Sequence, residues 1–124
     1  MIIKRILNNN AVMSVDESGE DIIVKGKGIA FQKKSGDEIN QNKIDKIFVI
    51  KNQEINRRYQ EILVHIPYDC INACEDMIDV IKANIHKELS DKIYVTLTDH
   101  IFNLLERVKM GIVFDNALLW DVKR

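Results

Sequence analysis

Two periods divide the chain. Up to residue 50 the apolar residues come in short, β-branched runs separated by polar turns; after Lys51 they recur every three or four residues. The runs Ile2–Leu7, Ala11–Val15, Ile22–Val24 and Ile44–Ile50 predict four strands in an antiparallel meander. Asn8-Asn9-Asn10 and Asp16–Asp21 supply turns, with Gly19 expected at positive φ. Four such strands bury little apolar surface alone, so a homodimer is expected.

Beyond Lys51 the helical period sets the picture. Asn52 is a suitable N-cap, and Ile55, Tyr59, Ile62, Leu63 and Ile66 share one face of a helix that Pro67 ends. Asp69 is expected to cap a second helix, carrying Ile71, Cys74, Ile78, Ile81 and Ile85 and reaching about Leu89. Ser90 or Asp91 would cap a third, with Ile93, Leu97, Ile101, Leu104 and Val108 inward and Gly111 at its C′ position. Asp115 or Asn116 would open a short fourth, with Leu118, Leu119 and Trp120. The predicted class is α+β in two modules, a small four-stranded sheet over residues 1–54 and an all-α part over 55–124.

Composition changes the picture little, and charge only locally. The chain has 124 residues, 46% hydrophobic and 30% charged, with a formal net charge of −1. This suits one ordinary domain or two small ones, without a global basic field. Cys70 and Cys74 are too few for a disulfide framework, Met1–Leu7 has charges where a signal peptide needs an apolar run, and no window is apolar enough to span a membrane. A cytoplasmic protein with free thiols is expected. The cysteines lack paired zinc-ligand spacing, Glu75, Asp76 and Asp79 read as a solvated acidic face, and there is neither a P-loop nor a nucleophile elbow. No enzyme, metal or cofactor is expected.

The chemistry concentrates in Gly26-Lys27-Gly28-Ile29-Ala30-Phe31-Gln32-Lys33-Lys34-Ser35-Gly36. Between Lys25 and Lys34 there are four lysines and no acid, which predicts a basic, glycine-flexed hairpin. Lysine neutralises phosphate, glycine lets a backbone approach closely, and Phe31 offers a face on which a base can stack. A solvated turn with one core phenylalanine is the competing reading. His65 and His86 read as surface or helix-edge residues, and His100 lies beside the apolar stripe of the third helix.

Asn8-Asn9-Asn10 followed by Gly26–Asp37 resembles the RNA-binding, or co-antiterminator, domain of the BglG/SacY family of transcriptional antiterminators. Leu97-Thr98-Asp99-His100-Ile101 and Asn116-Ala117-Leu118-Leu119-Trp120 are similar to the first phosphotransferase-system (PTS) regulation domain of that family. The resemblance covers the whole chain, with both anchors in the expected order. It implies a dimeric sheet that binds a hairpin in a leader transcript and so prevents a terminator from forming upstream of sugar-utilisation genes. It also implies regulation by histidine phosphorylation, with PTS proteins as donors in the full-length protein. Family members carry a complete regulation domain and a second one; this sequence ends within the first, so a fragment of a longer protein is expected.

Within that resemblance the expected roles are specific. Phe31 takes an unstacked base, Lys27 and Lys33 pair with phosphates, and Gln32 and Asn10 reach base edges or 2′-hydroxyls. Gly26 and Gly28 permit close backbone approach, and Arg5 matches a basic family position that contacts RNA. His100 would be the phosphorylated histidine. The alternative is a protein-interaction module whose helical part dimerises or docks a PTS component, with RNA binding secondary.

Overall fold

The computed structural model describes residues 1–85 and 87–122, with side chains up to residue 111. Four strands, β1 (Arg5–Asn8), β2 (Ala11–Val15), β3 (Asp21–Lys25) and β4 (Lys46–Phe48), form one antiparallel sheet in sequence order. The expected meander is present, with shorter ends. Ile2 makes only an isolated bridge to Glu38, because the β3–β4 loop returns there, with Ile3 N–H donating to the Asp37 carbonyl at 2.8 Å. The register pairs Val12 with Val24 and Met13 with Ile23, so successive residues face opposite sides. Gly19 has φ +85°, as its turn requires, and the Asp16 carboxylate accepts from the Ser18 and Glu20 amides, both at 2.9 Å.

Three helices follow: α1 (Gln53–His65), α2 (Tyr68–Asn84) and α3 (Lys92–Val122). Asn52 caps α1, its side chain accepting from the Ile55 amide at 3.0 Å. Tyr59, Ile62, Leu63 and Ile66 are buried as the period predicts. The second helix starts at Tyr68 behind Pro67, which has no side-chain cap bond, so Asp69 lies in the first turn and is not the cap. That helix also stops at Asn84, short of Leu89.

The expected break at Gly111 is absent. One helix continues from Lys92 to Val122, so Gly111 is not a C′ residue and no separate fourth helix starts at Asp115 or Asn116. An interior glycine costs a helix only about 1 kcal/mol, too little to force a stop. The side chains of Leu118, Leu119 and Trp120, and all of His86, lie outside the described residues. The buried stripe of α3 is also rotated from the expected one. Tyr94, Val95 and Thr98 are buried, whereas Leu104 and Val108 are exposed.

The sheet carries a core on each face. On one side Val12, Ile22 and Val24 pack with Ile3, Ile29, Ala30 and Ile39, which come from the N-terminus and the β3–β4 loop. On the other side Ala11, Met13, Ile23 and Phe48 pack against Tyr59, Ile62, Ile71, Ile78 and Tyr94 of the helices. The rings of Phe48 and Tyr59 meet edge-on at 4.9 Å, and those of Phe48 and Tyr94 at 5.3 Å. The helix side is closed within one chain, but Met1, Ile2, Val15, Ile47 and Val49 remain exposed along one groove of the sheet, so this arrangement does not remove the expectation of a homodimer.

Candidate nucleic-acid interface

The Asn8–Asn10 turn and the segment after β3 lie at the same end of the sheet, because Ala11 pairs with Lys25. Hydrogen bonds join them into one surface. The Gly26 amide donates to the Asn10 carbonyl at 2.9 Å, the Ala30 amide to the Asn9 carbonyl at 2.9 Å, and the Gly28 amide to the Asn10 side-chain oxygen at 2.8 Å. Asn10 is itself held, its amide donating to the Asn8 side chain at 2.8 Å. Its carboxamide oxygen thus shapes the loop, leaving its NH2 as the group that can read a ligand.

The loop is not the hairpin expected from composition. It is a run of tight turns: Ile29 N–H to Gly26 O at 3.1 Å, Phe31 N–H to Gly28 O at 3.1 Å, and Lys33 N–H to Ala30 O at 3.0 Å. Gly28 sits at φ +70° and Gln32 at φ +57°, the one non-glycine residue in that region among the described residues. The left-handed region disfavours a glutamine, and such conformations persist where surrounding contacts hold them. Gly26 is required for a different reason. A Cβ there would lie 1.8 Å from the Lys43 carbonyl oxygen, inside any permitted contact.

These turns separate the side chains. Ile29 and Ala30 point into the core, while Phe31 is 58% exposed. Lys27, Gln32 and Lys33 on the same loop are also exposed. The competing reading of Phe31 as a core residue is thereby excluded. What results is an exposed aromatic ring among cations on a backbone fixed by its own hydrogen bonds.

Two sequence-based readings need correction here. Lys25 does not belong to the basic surface: it is fully buried on the helix side of the sheet. Its ammonium lies 3.2 Å from Asp45 and 3.1 Å from Glu75, donates to Asn72, and sits 4.6 Å from the centroid of the Tyr68 ring. Glu75 is accordingly buried and paired, not part of a solvated acidic face, and it also accepts from the Tyr59 hydroxyl at 3.2 Å. Asp76 and Asp79 are exposed as expected.

The electrostatics follow from this packing. The Tyr68 hydroxyl, with Lys25 beside it, holds the Asp45 carboxyl below its usual range. Burial pushes the Glu75 carboxyl up, against the opposing pull of Lys25, Lys46 and Tyr59. Tyr68 is pushed up to about 12 by burial and by Asp45. Sequence reasoning missed this cluster because its members are up to fifty residues apart. One signal was available: strand alternation puts Lys25 on the same face as Ile23.

Arg5 stands apart from the loop. It lies on the helix-facing side of β1, where its guanidinium donates to Gln60 of α1. It lines a cavity of about 730 Å³ with Lys4, Asp21, Lys51 and Asn56. His100 is exposed on α3, and its neighbour Thr98 is buried. Cys74 is buried and Cys70 partly so; both are free thiols.

Residues 1–57 match the CAT RNA binding domain family and residues 75–124 match the PRD domain family. The chain belongs to the BglG/SacY family of transcriptional antiterminators. It is 40% identical over 124 residues to the transcription antiterminator LicT of Bacillus subtilis, covering all of this chain and 45% of LicT. It is 36% identical over 124 residues to the β-glucoside operon antiterminator of Dickeya chrysanthemi, covering all of this chain and 44% of that one. The chain thus spans just under half the length of these relatives. In three dimensions it is similar to the crystal structure of GlcT CAT-PRDI, with a TM-score of 0.67 and 28% identity, over 89% of this chain and 66% of that one. The sheet-plus-helices arrangement is therefore that of a CAT domain joined to PRD helices. No helix among the described residues is long and apolar enough to cross a membrane.

Proposed function

We propose that this chain is the RNA-binding part of a transcriptional antiterminator. It binds a hairpin of a leader transcript through Asn10, Lys27, Gly28, Phe31, Gln32 and Lys33, with the buried Gly26 seating the loop against Lys43, and so keeps a terminator from forming upstream of sugar-utilisation genes. The observation that carries this reading is the exposed Phe31 ring on a loop that also exposes Lys27 and Lys33 and that Asn10 holds in place. Unpaired loop or bulge bases stack on such a ring, and the lysines neutralise the flanking phosphates. Residues 1–54 form the RNA-binding module and 55–124 the beginning of a PTS regulation domain. The protein works in the cytoplasm as a homodimer. His100, exposed on α3, is the phosphoacceptor for PTS proteins in the full-length protein. Arg5 contributes to RNA only by leaving Gln60, since its side chain faces α1.

An RNA hairpin selected from a library with a randomised internal loop supplies the probe. Phe31→Ala should weaken its binding by about 1–3 kcal/mol, through lost stacking, and leave the melting transition unchanged. Wild-type affinity should fall as salt rises, because phosphate contacts release counterions. Equal affinity for the variant would remove Phe31 from the site. Failure to enrich any RNA would overturn the function.

A further inference from the structure

We infer that the buried Lys25 ammonium is a positioning group for the RNA-binding loop, and that Glu75 of α2 acts on RNA affinity through it. This rests on the function proposed above, and the experiment below separates the two.

Lys25 is the last residue of β3 and the residue immediately before Gly26, where the loop begins. Asp45 stands where the loop ends, just before β4. Their backbones are joined, the Asp45 amide donating to the Lys25 carbonyl at 2.8 Å. One ammonium therefore ties the two ends of the loop together through the Asp45 carboxylate at 3.2 Å. It also ties both to α2 through Glu75 at 3.1 Å and Asn72. All three N–H donors of the ammonium have acceptors, and the Tyr68 ring lies beside it, with the Tyr68 hydroxyl donating to the same Asp45 carboxylate at 2.9 Å. Glu75 is held from its other side by Tyr59.

A fully buried lysine is expensive, and such a network stabilises only when every member is satisfied. Among the described residues no buried side-chain polar atom lacks a partner. Neutralising Glu75 leaves the buried ammonium with the half-exposed Asp45 as its one carboxylate and without its charged tie to α2, so the remaining groups must rearrange or admit water. The place where they can give is the loop. Asp45 is half-exposed and anchored by this cluster, and Gly26 rests against the Lys43 carbonyl with no room for a Cβ. A shift of Lys43–Asp45 moves the wall against which Gly26 lies. It thereby loosens the Gly26 and Gly28 amides that Asn10 holds. Phe31 would then sample more orientations, and RNA binding would have to order it. Glu75 touches none of the proposed RNA contacts, so an effect on RNA must travel by this route.

The Lys46–Asp79 pair, in which Asp79 is exposed and Lys46 partly buried, provides the control. It also joins the sheet to α2, at 3.3 Å, but from β4 and not from the loop. In the whole chain, Glu75→Gln is expected to weaken binding of the selected hairpin about tenfold, because a loop left unheld must be ordered on binding. Amide exchange of Gly26, Gly28 and Asp45 should quicken, while that of Val12 and Met13 at mid-sheet stays the same. Asp79→Asn should leave RNA affinity and loop exchange within about twofold of wild type, as exposed pairs contribute little. If Glu75→Gln does not fold, Lys25→Met combined with Glu75→Met replaces the pair with apolar side chains. That variant should fold, yet show the same faster loop exchange and weaker RNA binding, because Asp45 is released. Unchanged loop exchange and RNA affinity in either folded variant would overturn the inference, as would equal effects in Asp79→Asn. Absence of RNA binding by the wild type would overturn the function instead, and loop exchange alone would then decide whether Lys25 holds the loop.

Discussion

The two faces of the sheet are covered by different means. One is roofed by helices and closed with aromatic rings, Phe48, Tyr59 and Tyr94, in edge contacts. The other is roofed by an irregular loop that contributes Ile29, Ala30 and Ile39, with the partly buried Ile44, as apolar anchors. A helix satisfies its own backbone and can devote a whole stripe to the core. A loop must find partners for each amide, and this one finds them in the Asn8–Asn10 turn and in the N-terminus. The loop therefore buries less, but its intervening residues remain free to project. Phe31, Lys27 and Lys33 are available to a ligand because the roof on that face is a loop.

This contrast predicts where damage falls. The largest effect is expected from Phe48→Ala on the helix-covered face, which should cost about 3–5 kcal/mol in stability by leaving a cavity between Tyr59 and Tyr94. Chemical denaturation measures it, and a loss below about 1 kcal/mol would mean that the helices do not pack tightly on the sheet. Next comes Gly26→Ala. The new methyl would meet the Lys43 carbonyl, so the loop must shift at a cost of about 1–3 kcal/mol. RNA affinity should fall with it while the aromatic core keeps its near-ultraviolet signal. A normal affinity would show that the loop tolerates displacement.

The smallest effect concerns acid. Asp45 has its folded-state pKa held below the ordinary 3.8, so its contribution to stability is present above that pH and lost as pH falls through the folded value. Glu75 runs the other way. Its pKa is raised above 4.5, so its contribution grows as pH falls through the folded value toward 4.5. Urea titrations at pH 7, 5 and 3 should therefore show Asp45→Asn flattening the loss below pH 3.8. A matching acid limb in the variant would mean that the Tyr68 hydroxyl bond does not persist in solution.

Much of the fold is legible in the sequence because it is locally encoded. The β-branched runs give the strands, Asn52 gives the start of α1, and the three-four period gives its buried face. The errors have nonlocal causes. The buried stripe of α3 departs from the simple period because Tyr94 and Thr98 are drawn in by the sheet and by α2, whereas Leu104 and Val108 stay exposed. Gly111 reads as a stop in the sequence because a glycine can end a helix or sit inside one, and here it sits inside. The proposed RNA surface is legible as a motif, since glycine, lysine and phenylalanine at those spacings have few other uses. Its support is not, because Lys25 looks like one more cation until Glu75, fifty residues later, is folded beneath it. Arg5 belongs to the motif by resemblance, and its contact with Gln60 is visible only in three dimensions.

The most direct test of this account is a map of backbone amide shifts as the selected RNA hairpin is added to the whole chain. The largest changes should fall on residues 8–10 and 26–33, with α3 unmoved. Changes centred on the helices, or on the cavity lined by Arg5 and Asn56, would contradict the assignment of the loop as the RNA-binding surface.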